Sequence, residues 1–163
     1  MKTRIGFGFD VHQLVAERPL WLGGIQIEHT LGLLGHSDAD VLIHAICDAI
    51  LGAANMRDIG YHFPPKKGNE YENIDSKILL RKTLDIVGEK GYTIGNIDCT
   101  VCAERPKLNP HIPQMQQTLA EVMSIDPDDI SIKATTTEHL GFTGREEGIS
   151  AYAVALLEKK ETQ

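Results

Sequence analysis

The segment from Asp38 to Asn55 constrains the fold most. Val41, Leu42, Ile43, Ala45, Ile46, Cys47, Ala49, Ile50 and Leu51 make it apolar on nearly every side, and a helix apolar all round belongs in a core. Asp40, His44 and Asp48 interrupt it one turn apart as a narrow polar stripe. Buried charge is costly unless it is paired or bound to metal, so the stripe demands partners. His44 is either a metal ligand or a satisfied core histidine. Asp48 either orients that imidazole or serves as a partner on the helix face. Ser37 followed by Asp40 resembles a capping box and predicts a helix start near Asp38.

Strand and helix patterns alternate around this segment. Ile5 to His12 has a period of two, with Ile5, Phe7, Phe9 and Val11 on one face and Gly6, Gly8, Asp10 and His12 on the other. That predicts a half-buried strand with Phe7 and Phe9 in the core, and glycines that let something approach the backbone closely. Pro19 to Ile27 reads as a hairpin turning at Gly23-Gly24, and Arg57 to Glu72 as a loop. A helix is predicted from Asp75 to Lys90, a β-rich run from Tyr92 to Ala103, a helix from Asn109 to Met123, and strands over Asp128–Thr137 and Ile149–Leu157. No repeat or compositional boundary divides residues 1–163, which predicts one domain. The expected fold class is α+β: a single-layer mixed β-sheet with helices packed on one side.

Composition removes several functional classes. Sixteen Lys and Arg stand against 23 Asp and Glu, a net charge of −7, so the chain offers nucleic acid no electrostatic footprint. No apolar run reaches the ~18 residues that a membrane span needs. The first residues lead straight into the Ile5 strand without a signal-peptide core. Three cysteines suit reduced thiols, and the expected location is cytoplasmic.

Asp10 and His12 leave the same strand face, and carboxylate plus imidazole make a fair half-site for Zn²⁺. Two segments look shaped for anions. His36-Ser37-Asp38 stands where a helix N-terminus would offer free N–H groups. Thr135-Thr136-Thr137-Glu138 adds three hydroxyls to Lys133, with Glu138 able to hold hydrated Mg²⁺; equally, threonine is an ordinary strand residue. Cys99-x-x-Cys102 has no second pair, and residues three apart on a strand face opposite ways, which reads as core thiols. Gly6-x-Gly8 lacks the rest of a dinucleotide fingerprint. His29, His62 and His139 have no partner in the pattern.

Six ordered blocks then coincide with a known family: Gly8-Phe-Asp-Val-His12, Gly35-His-Ser-Asp-Ala-Asp-Val41, Asp58-Ile-Gly60 with Phe63-Pro64, Pro106-Lys-Leu with Pro110 to Met115, Lys133 to Glu138, and Leu140-Gly-Phe-Thr-Gly-Arg145. Over residues 3–158 the chain resembles the 2-C-methyl-D-erythritol 2,4-cyclodiphosphate synthases. The resemblance implies Zn²⁺ on Asp10, His12 and His44, and Mg²⁺ or Mn²⁺ on Glu138. It implies that His36 and Thr136 stabilise the transition state and that His36 and Ser37 bind phosphate. Asp58, Ile59, Gly60 and the loop of Phe63, Pro64, Pro65, Lys66 and Lys67 would hold the methylerythritol end. Ala103, Glu104, Arg105, Pro106, Lys107, Leu108 and Asn109 would hold the cytidine diphosphate part. Lys133, Thr135, Thr136, Thr137 and Glu138 would complete the phosphate site. Phe142 and Arg145 would line the axial cavity of a homotrimer with active sites between subunits, where an isoprenoid diphosphate could sit. Departures are Phe7 where a histidine can occur, the more basic Pro65-Lys66-Lys67, and polar Asn109 in the nucleotide pocket. A zinc phosphohydrolase and a non-catalytic cytidine-nucleotide-binding trimer are the alternatives.

Overall fold

The computed structural model describes residues 2–64 and 71–159. Its main sheet has five strands in the order β4 (Leu31–Leu33), β1 (Lys2–Ala16), β7 (Gly148–Lys159), β5 (Tyr92–Cys102) and β6 (Ile130–Thr135). β1 runs antiparallel to β4 and β7, and β5 antiparallel to β7, whereas β5 and β6 are parallel. That parallel pair needs a crossover, which helix α4 (Ile112–Met123) supplies. β2 (Leu20–Leu22) and β3 (Ile25–Ile27) form a separate hairpin. It turns at Gly23 and Gly24, whose φ values of 62° and 79° suit residues without a Cβ.

Register decides which face is the core. Gly6 and Gly8 stand beside Ala155 and Ala153, and these beside Ile97 and Cys99, all buried. Helix α1 (Val41–Ala53) lies on this face so closely that a Cβ on Gly8 would meet the Ala45 carbonyl oxygen at 1.9 Å. Helix α3 (Ser76–Glu89) packs beside α1, and α4 covers β6. The expectation of a mixed sheet with helices on one side is met.

Phe7 and Phe9, expected in the core, are not there. They point out of the opposite face with 63% and 45% of their surface exposed. The period of two makes the choice binary: the helix backbone takes the glycine face, so the large side chains take the other. Ile5, Val11, Tyr152 and Val154 extend that exposed apolar face.

The start of α1 also differs from the expectation. Asp40, not Ser37, is the N-cap, accepting from Ile43 N at 3.0 Å. Its fully buried carboxylate further accepts from Gly23 N (3.0 Å) and Gly24 N (2.7 Å), so the stripe's first charge is satisfied by the hairpin turn. Within the expected loop after Arg57, the turn α2 (Ile59–His62) is capped by Asp58, which accepts from Tyr61 N at 2.8 Å. Pro65, Lys66 and Lys67 lie outside the described residues. Among the described residues no helix is long and apolar enough to cross a membrane.

Candidate active site

Asp10 and His12 leave β1 on the core side at the point where the glycines end, and His44 meets them from the first turn of α1. The Asp10 Oδ2, His12 Nε2 and His44 Nδ1 atoms form a nearly equilateral triangle with sides of 3.0, 3.0 and 3.1 Å. All three atoms belong to side chains at most 26% exposed.

Hydrogen bonds behind the rings fix which nitrogens carry protons. His12 Nδ1 lies 2.7 Å from the Leu34 carbonyl; a carbonyl only accepts, so that nitrogen is the donor and Nε2 keeps its lone pair. His44 Nε2 lies 3.0 Å from Ser76 Oγ, whose own proton goes to Asp38 Oδ1. Ser76 therefore accepts from His44 Nε2–H, and Nδ1 keeps its lone pair. With both imidazoles neutral, two ring lone pairs and a carboxylate face one another, a convergence that a bound cation or a proton on either ring relieves. Burial would raise the Asp10 carboxyl, but its contacts with His12 and His44 outweigh burial and hold it well below the usual carboxylate range. Burial lowers the His12 imidazole while Asp10 raises it, and the net direction is upward.

The third member of the stripe does not serve His44. Asp48 accepts from Ile59 N at 2.8 Å and tethers α2, so it is the helix-face partner. α2 then forms one wall of a cleft of about 200 Å³ whose floor is Asp10, His12 and His44 and whose rim includes His36, Ser37, Ile59, Gly60 and Phe63. His36 and Ser37 precede the helix by several residues, and Asp40 already occupies the Ile43 amide. The reading of a free helix N-terminus at His36 therefore gives way to a turn. Arg18 holds that turn through the carbonyls of Gly35 (3.2 Å) and Ser37 (2.9 Å).

A second cleft, about 400 Å³, is lined by Ala103, Glu104, Pro106 to Pro110 and Ala134 to Thr136. Beyond β6 the chain bends through Thr137, Glu138 and His139, where Thr136 Oγ1 donates to Glu138 Oε1 at 3.1 Å. Burial raises the Glu104 carboxyl, yet bonds from the His139 and Thr137 amides carry it below its ordinary value. Lys133 is on the open sheet face paired with Asp98, away from this cleft. Arg105 lies 3.5 Å from Glu146. Arg145 binds Glu147 through two nitrogens at 3.1 and 3.0 Å, and Phe142 is partly exposed nearby on α5 (Gly141–Gly144).

The two clefts stand apart within one chain. Asp10 aligns with Ala151, Ala151 with Val101 and Val101 with Ala134. Asp10 and Ala134 thus share one level of the sheet, three strand spacings or about 14 Å apart.

Residues 3–158 match the model of the YgbB family. The chain belongs to the YgbB family. A Bacteroides fragilis relative named 2-C-methyl-D-erythritol 2,4-cyclodiphosphate synthase is 76% identical over 159 residues, 98% of this chain and 99% of that one. A Cytophaga hutchinsonii protein of the same name is 62% identical, with the same shares covered. Among solved structures, the bifunctional IspDF of Campylobacter jejuni superposes with a TM-score of 0.94 at 43% identity, covering 98% of this chain and 43% of that longer one. The Plasmodium falciparum IspF–CDP complex superposes at 0.85 with 36% identity, covering 98% and 97%.

Several members of the site escape sequence reasoning. Ser76, Asp38 and the Leu34 carbonyl set the imidazoles, and Tyr71, Ile74 and Leu79 wall the first cleft. Asp75 before Ser76 gives a cap signal, but nothing local says that this helix end meets His44.

Proposed function

We propose that this YgbB-family chain is a metal-dependent cyclase. It converts 4-diphosphocytidyl-2-C-methyl-D-erythritol 2-phosphate to 2-C-methyl-D-erythritol 2,4-cyclodiphosphate and CMP, on the non-mevalonate route to isoprenoid precursors. The observation that carries this reading is the meeting of three lone pairs on the floor of a cleft rimmed by His36 and Ser37. The relatives' names agree with it.

Asp10, His12 and His44 fit Zn²⁺. One carboxylate and two imidazoles form a catalytic zinc donor set, and their 3.0–3.1 Å spacings approach the ~3.3 Å edge of a tetrahedron with zinc–ligand bonds of about 2.0 Å. Three protein ligands would leave such a cation open to a substrate phosphate oxygen. Glu138 would hold Mg²⁺ or Mn²⁺. Such cations, when bound, polarise diphosphate oxygens as Lewis acids.

The protein's own task is alignment. Asp58 to Gly60 and Phe63–Pro64 hold the methylerythritol end, and Ala103 to Asn109 the cytidine end. His36 and Ser37 face the phosphates, and His36 and Thr136 donate to the charge that grows on the transferring group. A 2-phosphate oxygen attacks the β-phosphorus and the new P–O bond closes the ring. The bond to the bridging oxygen breaks, and CMP leaves with the electron pair. The attacking phosphate is ionised at neutral pH, so no base is needed, and rate comes from positioning and charge neutralisation.

Two clefts about 14 Å apart in one chain support a site completed by a neighbour. The exposed apolar face of Ile5, Phe7, Phe9, Val11, Tyr152 and Val154 supports the homotrimer that would supply one. The reading includes a cytoplasmic location and no nucleic-acid partner. Phosphorus NMR of the zinc- and magnesium-loaded protein with the diphosphocytidyl substrate tests it. A cyclic diphosphate appearing with equimolar CMP is expected. A linear phosphate product would make the protein a hydrolase instead.

A further inference from the structure

We infer that Glu104 is a positioning residue whose carboxylate holds the 136–140 bend, so that Thr136 lines the nucleotide cleft with Glu138 hydrogen-bonded beside it. Within the cytidine-binding stretch its side chain then serves the protein and not the nucleotide. The inference rests on the cyclase reading.

The carboxylate is spent on the bend. Oε1 accepts from Thr137 N at 3.0 Å and His139 N at 3.1 Å, while Oε2 lies 3.5 Å from His139 Nδ1. The side chain is only 5% exposed, which leaves it little capacity for a ribose or a base. The bend needs such a restraint. Glu138 and His139 are consecutive non-glycine residues with left-handed φ values of 53° and 63°, a conformation that persists only where the surroundings enforce it. Glu104 grips the amides on both sides of Glu138, and so sets the residue between them. Thr137 Oγ1 donates to Leu140 O at 2.7 Å, closing the bend from the other end. The anchor is tied to the sheet, since Ala103 N still donates to Thr135 O at 3.0 Å as β5 ends. Two backbone amides of one bend aimed at a single oxygen resemble an anion-binding nest, here filled by the chain's own carboxylate.

Glu104→Ala should therefore remove catalysis without removing the nucleotide. The test compares the metal-loaded wild type, Glu104→Ala, Glu104→Gln, Thr136→Ala and the Glu104→Ala/Thr136→Ala double variant. The readouts are kcat, KM, CDP affinity and amide hydrogen exchange at Thr137 and His139. Glu104→Ala is expected to lower kcat by about 10²-fold, the scale for one misplaced transition-state donor, with KM and CDP affinity within about threefold. Glu104→Gln, whose amide oxygen still accepts, should recover most of the rate. In the Thr136→Ala background the alanine should add little, because groups acting through one another are non-additive. Exchange at both amides should quicken in Glu104→Ala and not in Glu104→Gln.

Loss of CDP affinity with kcat intact would make Glu104 a nucleotide ligand and overturn the inference. Unchanged exchange, or full additivity with Thr136→Ala, would also overturn it. A wild type that forms no cyclic product would defeat the cyclase reading instead, and exchange at the two amides would still decide the anchor.

Discussion

His12 and His44 turn different nitrogens toward Asp10, Nε2 from one and Nδ1 from the other, because their backing partners differ: a carbonyl on β4's exit and a serine at the start of α3. The three converging residues are legible in the sequence, since Asp-x-His on a strand and a lone histidine in an apolar helix mark one face each. Their backing groups are not, because Leu34, Asp38 and Ser76 are brought in by tertiary packing. Glu104 is illegible for the same reason. Its partners lie more than 30 residues away, and its chemistry lies in backbone amides that carry no sequence signature. The cysteine pair divides: Cys99 is the core thiol expected, whereas Cys102, three residues on and facing the other way, is not fully buried. Burial pushes the Cys47 and Cys99 thiols up to about 12, while Cys102 is half-buried. Thiolate is the reactive form, so a disulfide reagent at pH 8 is expected to titrate at most one thiol per native chain, and all three after denaturation. Two fast native thiols would contradict this packing.

Element by element, α3 and the Gly23-Gly24 hairpin follow from local pattern, whereas the burial of β1 does not. Its two faces are one of glycine and one of phenylalanine, and side-chain size alone selects the wrong one for the core. The deciding fact is the approach of α1, whose carbonyls sit where Cβ atoms on Gly6 and Gly8 would be. Gly8→Ala is accordingly expected to cost at least ~3 kcal/mol, the upper range for overpacking, since a backbone and not a flexible side chain must yield. Gly88 in α3 is the control, because a Cβ there would meet nothing within 4 Å. Gly88→Ala should stabilise by about 0.5–1 kcal/mol through helix propensity. Denaturant unfolding of both variants checks the pair, and equal stabilities would refute the account of β1. The cap of α1 teaches a related lesson. Ser37 and Asp40 both suit an N-cap, and the hairpin amides on the Asp40 carboxylate select between them.

For the whole molecule, the proposed site shared between copies rests on the outward apolar face of β1 and β7 and on the gap between the clefts. The family resemblance names most residues of both clefts, but only the register of four strands shows how far apart one chain holds them. Phe7→Glu places a charge in the middle of the exposed apolar face. Light scattering after gel filtration should show loss of the assembled species, with Zn²⁺ still bound and cyclisation lost. Assembly and turnover equal to wild type would remove that face from the mechanism. The central claim remains that Asp10, His12 and His44 converge on a cation and that the chemistry depends on it. Its most direct measurement is calorimetric titration of Zn²⁺ into chelator-stripped wild type and His44→Ala, each sample then assayed for cyclic product. The account expects one Zn²⁺ per wild-type chain with turnover restored, and neither in His44→Ala. Turnover by the stripped protein, or by zinc-free His44→Ala, would contradict it.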